Sequence, residues 1–234
     1  GTRVYSINQN YSWGKDMEDA IKGHADKGGY EVVEAVLHDV NKIQDFAPFV
    51  AKIQAAHPDT VMTGNWSNYL LLLMKAVGGA GLKTRFATAF LDQPGNIANA
   101  GEVALGNYIA HPFNVELSKD DYVERYKKFS GHVPSYGEPG ATNAVRILIK
   151  ATQAVDFKGG KIDVTKLAQA LENAELPTAI GTITFRKEDH QALLPVVVSK
   201  VTKDAKYPAD DTDMGFKPVK VVQAQDVIYP VQSS

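Results

Sequence analysis

The stretch Val4-Tyr-Ser-Ile-Asn-Gln-Asn-Tyr-Ser-Trp-Gly-Lys-Asp-Met17 joins a short apolar strand, Val4 to Ile7, to a polar, aromatic turn that runs straight into an amphipathic helix. The helix is predicted from Ser12 or Trp13. Met17, Ala20, Ile21, His24 and Ala25 recur at the spacing of one buried face, so His24 reads as a packed histidine. Gly28 and Gly29 supply the left-handed stop that a helix end favours. In a parallel α/β sheet the loop after each strand opens onto the crevice where ligands bind. Tyr11 and Trp13 lie in such a loop.

The unit recurs. Tyr30 to Val36 reads as a second strand, and Asp45 as the cap of a helix that buries Phe46, Phe49, Val50 and Ile53. Pro58-Asp59 break that helix and Thr60 to Gly64 form a third strand. Ser67 or Asn68 caps a helix with Leu70, Leu73, Met74 and Val77 inward, then Arg85 to Phe90 and Leu105 to Ala110 are strands around a short helix, Pro94 to Ala100. Strands that alternate with helices imply a parallel sheet, because each parallel crossover needs a dozen or more residues. Residues 1–111 are thus expected to form one α/β lobe.

From His111 the rhythm changes. Ser118 with Asp121 approximates a capping box for a helix lined by Tyr122, Tyr126 and Phe129. After the Pro/Gly-rich loop Val133 to Gly140, a long helix from Ala141 to about Val155 presents Ala144, Leu148, Ala151 and Val155. Asp163 caps a third helix carrying Leu167, Ala168 and Leu171. Three helices without intervening strands cannot build a parallel sheet alone, so they are expected to pack on a sheet elsewhere. Ile180 to Phe185, Leu194 to Val201 and Phe216 to Val222 are strand-like, with Arg186 to Gln191 a polar turn.

Composition narrows the function classes. The 234 residues suffice for one large or two modest domains, and 44% hydrophobic with 22% charged residues can bury a core and stay soluble. A net charge of -2 with no run of Lys or Arg argues against nucleic acid as a partner. The longest apolar run, Tyr69 to Met74, is far short of the roughly 18 residues of a membrane span and reads as a buried helix face. The absence of cysteine removes disulfides, thiolate nucleophiles and Cys-based zinc sites. The six histidines show no paired ligand spacing, and neither a nucleophile elbow nor a P-loop is present. Gly78-Gly79-Ala80-Gly81 follows a helix and reads as its stop. No cofactor, metal or catalytic set is predicted.

The loops at the C-terminal strand ends differ in kind from those at the opposite end. Both tryptophans, Trp13 and Trp66, fall in the former, as do Tyr11, Asn65, Asp92 and Phe113, whereas the latter hold mainly Gly, Lys, Asp and Pro. Ligand pockets are apolar and aromatic with a few placed polar groups, which fits the first set. The other reading is that these aromatics cover the sheet edge or meet another domain. Asp92 reads either as the counter-ion of a ligand ammonium or as the cap of the helix after it, and one residue can do both.

Asn10-Tyr-Ser-Trp-Gly-Lys-Asp-Met17, Asp45-Phe-Ala-Pro-Phe-Val-Ala-Lys-Ile-Gln-Ala-Ala-His-Pro-Asp59 and Ile180-Gly-Thr-Ile-Thr-Phe185 carry a resemblance that covers the whole chain. It resembles the type I periplasmic solute-binding proteins of ABC transporters, within the leucine/isoleucine/valine-binding family. The resemblance implies two α/β lobes that close on a small ligand by a hinge. Residues 1–111 would be the parallel-sheet second lobe, 112–178 helices belonging to an incomplete first lobe, and 179–234 strands and a tail crossing back. It also implies that the chain is a fragment of a longer precursor, without most of the N-terminal lobe and the signal peptide.

Carried over by position, Trp13 or Tyr11 stacks on the ligand, Trp66 matches an aromatic after the third strand, and Asp92 falls near an acidic residue that pairs with the ligand ammonium. Asp92 stands where the family has Glu. Tyr136 and Glu138, ahead of the long helix, fall on the hinge side of the cleft. The function implied is a non-enzymatic, periplasmic receptor for a branched-chain or aromatic amino acid or related small carboxylate, delivering it to an ABC permease. The alternatives are a ligand-sensing regulatory lobe of the same fold and, last, an α/β enzyme using Asp92 and His111.

Overall fold

The computed structural model describes residues 1–43, 45–155, 160–179 and 181–231. The chain runs β1 (Arg3–Gln9), α1 (Ser12–Gly23), α2 (Ala25–Gly28), β2 (Glu31–His38), α3 (Ala47–Ala56), β3 (Thr60–Thr63), α4 (Asn68–Gly79), β4 (Arg85–Thr88), α5 (Asn96–Ala100) and β5 (Tyr108–His111). It continues with α6 (Tyr122–Ser130), α7 (Gly137–Gln153), α8 (Val164–Glu172), β6 (Leu176–Thr178), β7 (Gly181–Phe185), β8 (Ala192–Leu193), β9 (Val196–Thr202) and β10 (Gly215–Val222). Two compact units result. One joins Gly1–His111 to Val198–Lys217, and the other joins Pro112–Val197 to the residues from Pro218 on.

The first unit holds a seven-stranded sheet in the order β10-β9-β5-β4-β3-β1-β2. β1 pairs in parallel with β2 and with β3, and β3 to β5 continue in parallel. β1 is therefore an interior strand, next to the edge strand β2. Six of its seven residues are buried, because helices cover both faces of such a strand. Tyr5 and Ile7 pack with Phe46, Ile53, Val61, Leu70 and Leu73 in the main core. α4 buries Leu70, Leu71, Leu73, Met74 and Val77, while Leu72 in the same apolar run is exposed.

Local features of this unit depart from the predicted pattern. His24 is exposed and ends α1 instead of packing, its Nδ1 lying 3.0 Å from the Ala20 carbonyl oxygen. α1 stops at Gly23, two residues short of the predicted face, and Gly29 at φ 66° closes the separate turn α2. α3 begins two residues after Asp45, whose carboxylate still accepts from the Ala47 N–H at 2.8 Å. Its end is set by His57 at φ 46°, ahead of Pro58. The Asp210 carboxylate, distant in sequence, accepts from the Gly95 and Ile97 N–H groups at 2.7 and 2.8 Å and holds the start of α5.

In the second unit the helices have a sheet within the chain: the antiparallel trio β6-β7-β8. β6, Leu176-Pro-Thr178, is too short and too interrupted by proline to carry a strand pattern. Ile180, predicted to open the next strand, lies outside the described residues. Ile147, Ala174, Leu176 and Ile183 form a small core. α7 starts four residues before Ala141, because the Glu138 carboxylate accepts from the Ser135 N–H and hydroxyl and anchors the first turn. Its buried residues are Pro139, Ile147 and Ala151, not Ala144 and Leu148, which are exposed. Around α6, Asp120 rather than Ser118 or Asp121 accepts from the Tyr122 N–H. Phe129 is 90% exposed there, and Val123 takes the buried position. Asp163 caps α8 as predicted, accepting from the Thr165 and Lys166 N–H groups.

Candidate functional site

The first crevice loop is set by how closely α1 approaches β1. A Cβ on Gly14 would lie 1.8 Å from the Gln9 carbonyl oxygen, so only glycine lets the helix start there. That approach aims Trp13 at the next strand end. Its Nε1–H donates to the Gly64 carbonyl at 2.9 Å, and its ring meets Phe90 edge-on at 5.6 Å. Tyr11 takes the outer position, where its hydroxyl accepts from the Trp66 Nε1–H at 2.8 Å. Trp66, 40% exposed, and Tyr11 thus form one aromatic pair across two predicted loops. Trp13 is committed inward and Tyr11 with Trp66 outward.

Behind them sit buried polar side chains. Asn65 is fully buried, its Oδ1 3.1 Å from His38 Nε2, and His38 is enclosed by Phe46, Phe49 and Tyr69. Asn8 spans the sheet end: its Oδ1 accepts from the Gly64 N–H at 2.7 Å and its Nδ2–H donates to Ser6 Oγ. These bonds fix the Gly64–Asn65 turn from below.

Asp92 and His111 form a second buried pair. Asp92 Oδ2 lies 2.8 Å from His111 Nδ1, and His111 Nε2 lies 2.9 Å from Ser199 Oγ on β9. Both side chains are 3% exposed and Ser199 is fully buried. Asp92 Oδ1 is buried without a hydrogen-bond partner among the described residues. An orphaned carboxylate oxygen is costly unless a donor or cation reaches it. The Asp–His–Ser order is that of a hydrolase triad, yet Ser199 is enclosed mid-strand, where a substrate carbonyl could not meet its hydroxyl.

Phe113, Tyr136 and Glu138 belong to the second unit. Phe113 and Tyr136 line a cavity of about 580 Å³ shared with Ile147, Leu148, Leu171 and Phe185. Phe113 is buried, its ring 6.3 Å edge-on from Tyr122. Burial raises the Tyr122 phenol pKa, against a hydrogen bond to Thr142 that lowers it; the Glu138 and Asp120 carboxylates raise it further. Glu138 is occupied at the start of α7. Sequence reasoning did not single out His38, which meets Asn65, or Ser199, which meets His111. His38 and Gln9 close strands in register with each other, and that alignment of two strand-terminal polar residues was the available signal.

A mostly parallel sheet with its strands in this order, and helices returning between them, is the type I periplasmic-binding-protein fold. A family model described as periplasmic binding protein matches residues 1–206, and the chain belongs to that family. The chain is 53% identical to Leu/Ile/Val-binding protein homolog 4 of Brucella melitensis biotype 1, across 100% of its own length. It spans 57% of the length of that relative. The crystal structure of the leucine-, isoleucine-, valine-, threonine- and alanine-binding protein from Brucella ovis, in a closed conformation, matches with a TM-score of 0.93 at 53% identity, over 100% of this chain and 61% of the other. A solute-binding protein of an ABC transporter from Rhodopseudomonas palustris BisB5, in complex with 3,4-dihydroxybenzoic acid, shares the fold with a TM-score of 0.76 at 22% identity, over 95% and 61% of the two chains.

Proposed function

We propose that the chain supplies one ligand-binding lobe of an extracytoplasmic solute receptor, which takes up an amino acid or related small carboxylate and presents it to an ABC permease. The observation that carries this reading is the chemistry at the C-terminal sheet edge of the first unit. An outward Tyr11–Trp66 pair stands there with a buried aspartate that keeps one oxygen unpaired. Aromatic faces suit an apolar side chain, and a carboxylate in low dielectric suits an ammonium. The names of the 53%-identical relatives support a branched-chain amino acid as the first ligand to try.

In this reading residues 1–111 are the second lobe and 112–178 belong to the first. The crossing back read over 179–234 is supported by Val198–Lys217, which groups with residues 1–111. The apolar cavity of about 580 Å³ is then a wall for the rest of the first lobe, the part of the relatives that this chain does not span. A zwitterionic solute would find few polar partners in that cavity. The family supports an extracytoplasmic location, and closure of two lobes about a hinge is part of this reading.

Thermal-shift screening of the full natural chain against leucine, valine, phenylalanine and 4-hydroxybenzoate tests the proposal. Stabilisation by at least one probe, with the probe recovered unchanged, is expected. Consumption of a stabilising probe would instead favour an enzyme, and no stabilisation by any of them would remove the amino-acid and aromatic-acid reading.

A further inference from the structure

We infer that Ser67 is a positioning residue: the conformation of its backbone stands the Trp66 indole outward against Tyr11, and so shapes the aromatic face that the ligand meets. This rests on the reading that the Tyr11–Trp66 pair touches the ligand. Ser67 has φ 55° and ψ -142°. His57, also at positive φ, sits at ψ 53° in the ordinary left-handed region. Ser67 lies outside that region, in the territory of the first central residue of a type II′ turn, which glycine dominates because a Cβ is crowded there.

The serine gives up a helix cap to stay there. Ser67 occupies the N-cap position of α4, yet its side chain accepts no hydrogen bond from the helix start. A capping residue has extended backbone, and Asp163, at φ -78° and ψ 104°, keeps that geometry and caps α8. What holds Ser67 is the fixing of the chain on both sides of it. Before it, the Asn65 N–H donates to Thr63 Oγ1 at 3.0 Å, and Asn65 Oδ1 lies 3.1 Å from His38 Nε2. After it, Leu70, Leu71 and Leu73 bury α4, and the Tyr69 hydroxyl accepts from the Asn41 N–H at 2.6 Å. Only Trp66 and Ser67 connect Asn65 to the start of α4 at Asn68, so the turn at Ser67 decides where Trp66 points. With the turn as it stands, Trp66 is 40% exposed and its Nε1–H reaches the Tyr11 hydroxyl at 2.8 Å. Relaxing Ser67 to the extended capping conformation would redirect the chain at Trp66 and break that bond. Ser67 is itself exposed, so changes to its side chain act through the backbone.

The test uses the full natural chain and two substitutions with opposite expectations. Ser67→Gly suits the observed conformation. Ser67→Thr keeps the hydroxyl but adds a branch at Cβ, which disfavours positive φ and favours the extended cap. Calorimetry measures the affinity for whichever of leucine and 4-hydroxybenzoate the parent binds. Nitrogen-15 spectra follow the Trp66 indole, its signal assigned by its loss in Trp66→Ala. Ser67→Thr is expected to bind about 3- to 10-fold more weakly than Ser67→Gly and to shift the Trp66 indole signal. Ser67→Gly should keep that signal in place and raise the melting temperature by about 1–3 °C. A merely structural role would move the melting temperature and leave affinity and indole signal alone.

If Ser67→Thr matches Ser67→Gly in affinity and leaves the indole signal in place while Trp66→Ala binds more weakly, the positioning role is overturned and the aromatic-pair reading stands. If Ser67→Gly binds more weakly than Ser67→Thr, the hydroxyl and not the backbone serves the site, and the inference is overturned. A Ser67→Gly melting temperature below that of the parent removes the strained turn on which it rests. If Trp66→Ala keeps the parent affinity, or the parent binds neither probe, the aromatic-pair reading falls and the inference falls with it.

Discussion

Gly14→Ala and Gly23→Ala place the same methyl at the two ends of α1, and the structure predicts opposite outcomes. At Gly14 the new Cβ would lie 1.8 Å from the Gln9 carbonyl oxygen and 2.8 Å from its carbon, where real Cβ atoms stay beyond 3.0 Å. The obstacle is backbone in the buried interior strand β1, which cannot yield, so the start of α1 must retreat by roughly 1 Å. Retreat stretches the Trp13–Gly64 and Tyr11–Trp66 hydrogen bonds, now 2.9 and 2.8 Å, and loosens the packing of Ile21. Overpacking of this kind costs about 2–3 kcal/mol. At Gly23 no atom lies within 4 Å, and alanine is the better helix former by about 0.5–1 kcal/mol. Urea unfolding followed by tryptophan fluorescence should put Gly14→Ala about 2–3 kcal/mol below the parent and Gly23→Ala slightly above it. The melting temperature of the first should fall by about 5–10 °C. A Gly14→Ala variant within about 0.5 kcal/mol of the parent would refute the close-contact argument, because no partial relaxation of a buried strand absorbs that overlap so cheaply.

Three further outcomes follow from named contacts. Asp210→Ala removes the acceptor for the Gly95 and Ile97 N–H groups and should cost about 2 kcal/mol in urea unfolding, with Asp210→Asn losing about half of that. Burial and the Glu34 carboxylate raise the Tyr5 phenol far above its ordinary value, so the folded chain favours the neutral phenol. That stability is complete below the unfolded value near pH 10 and is lost as pH rises above it, so an alkaline unfolding series should steepen there. Tyr5→Phe should flatten that limb and, by deleting a buried hydroxyl unpartnered among the described residues, gain about 1 kcal/mol at neutral pH. The 234-residue chain by itself should bind leucine weakly or not at all, since it spans 57% of its curated relative; micromolar affinity by calorimetry would show that one lobe suffices.

The sheet was legible because burial is periodic. Val4 to Ile7, Thr60 to Gly64 and Arg85 to Phe90 each announce a strand through a local apolar run, and the helices between them force the parallel order. The second unit was harder for a physical reason: its apolar residues are not spent on one face. α8 has no buried residue, α7 leaves Ala144 and Leu148 exposed, and Phe129 stands out in solvent on α6. A helical pattern reports which residues could be buried, and only the neighbouring layers decide which are. The cap at Asp120 shows the same limit on a smaller scale. Three adjacent acceptors, Ser118, Asp120 and Asp121, satisfy the capping rule about equally, and a turn of one residue selects among them.

The candidate site divides along the same line. Tyr11, Trp13, Asn65, Trp66 and Asp92 were visible because strand ends in a parallel sheet converge, so residues after each strand share an edge whatever their distance in sequence. Which of them turns outward was not visible. That depends on Gly14 letting Trp13 reach the Gly64 carbonyl, which leaves Tyr11 to pair with Trp66. The partner of His111 was beyond any local pattern, since Ser199 reaches it on a strand that enters the sheet after the chain has built a whole second unit. A serine inside the alternating strand Val196–Thr202 reads as an ordinary interior position. Its hydroxyl becomes informative only when a fully buried imidazole nitrogen must find a partner. Buried polar groups are rarely left unmatched, so the useful question for such a sequence is which distant strand can supply the match.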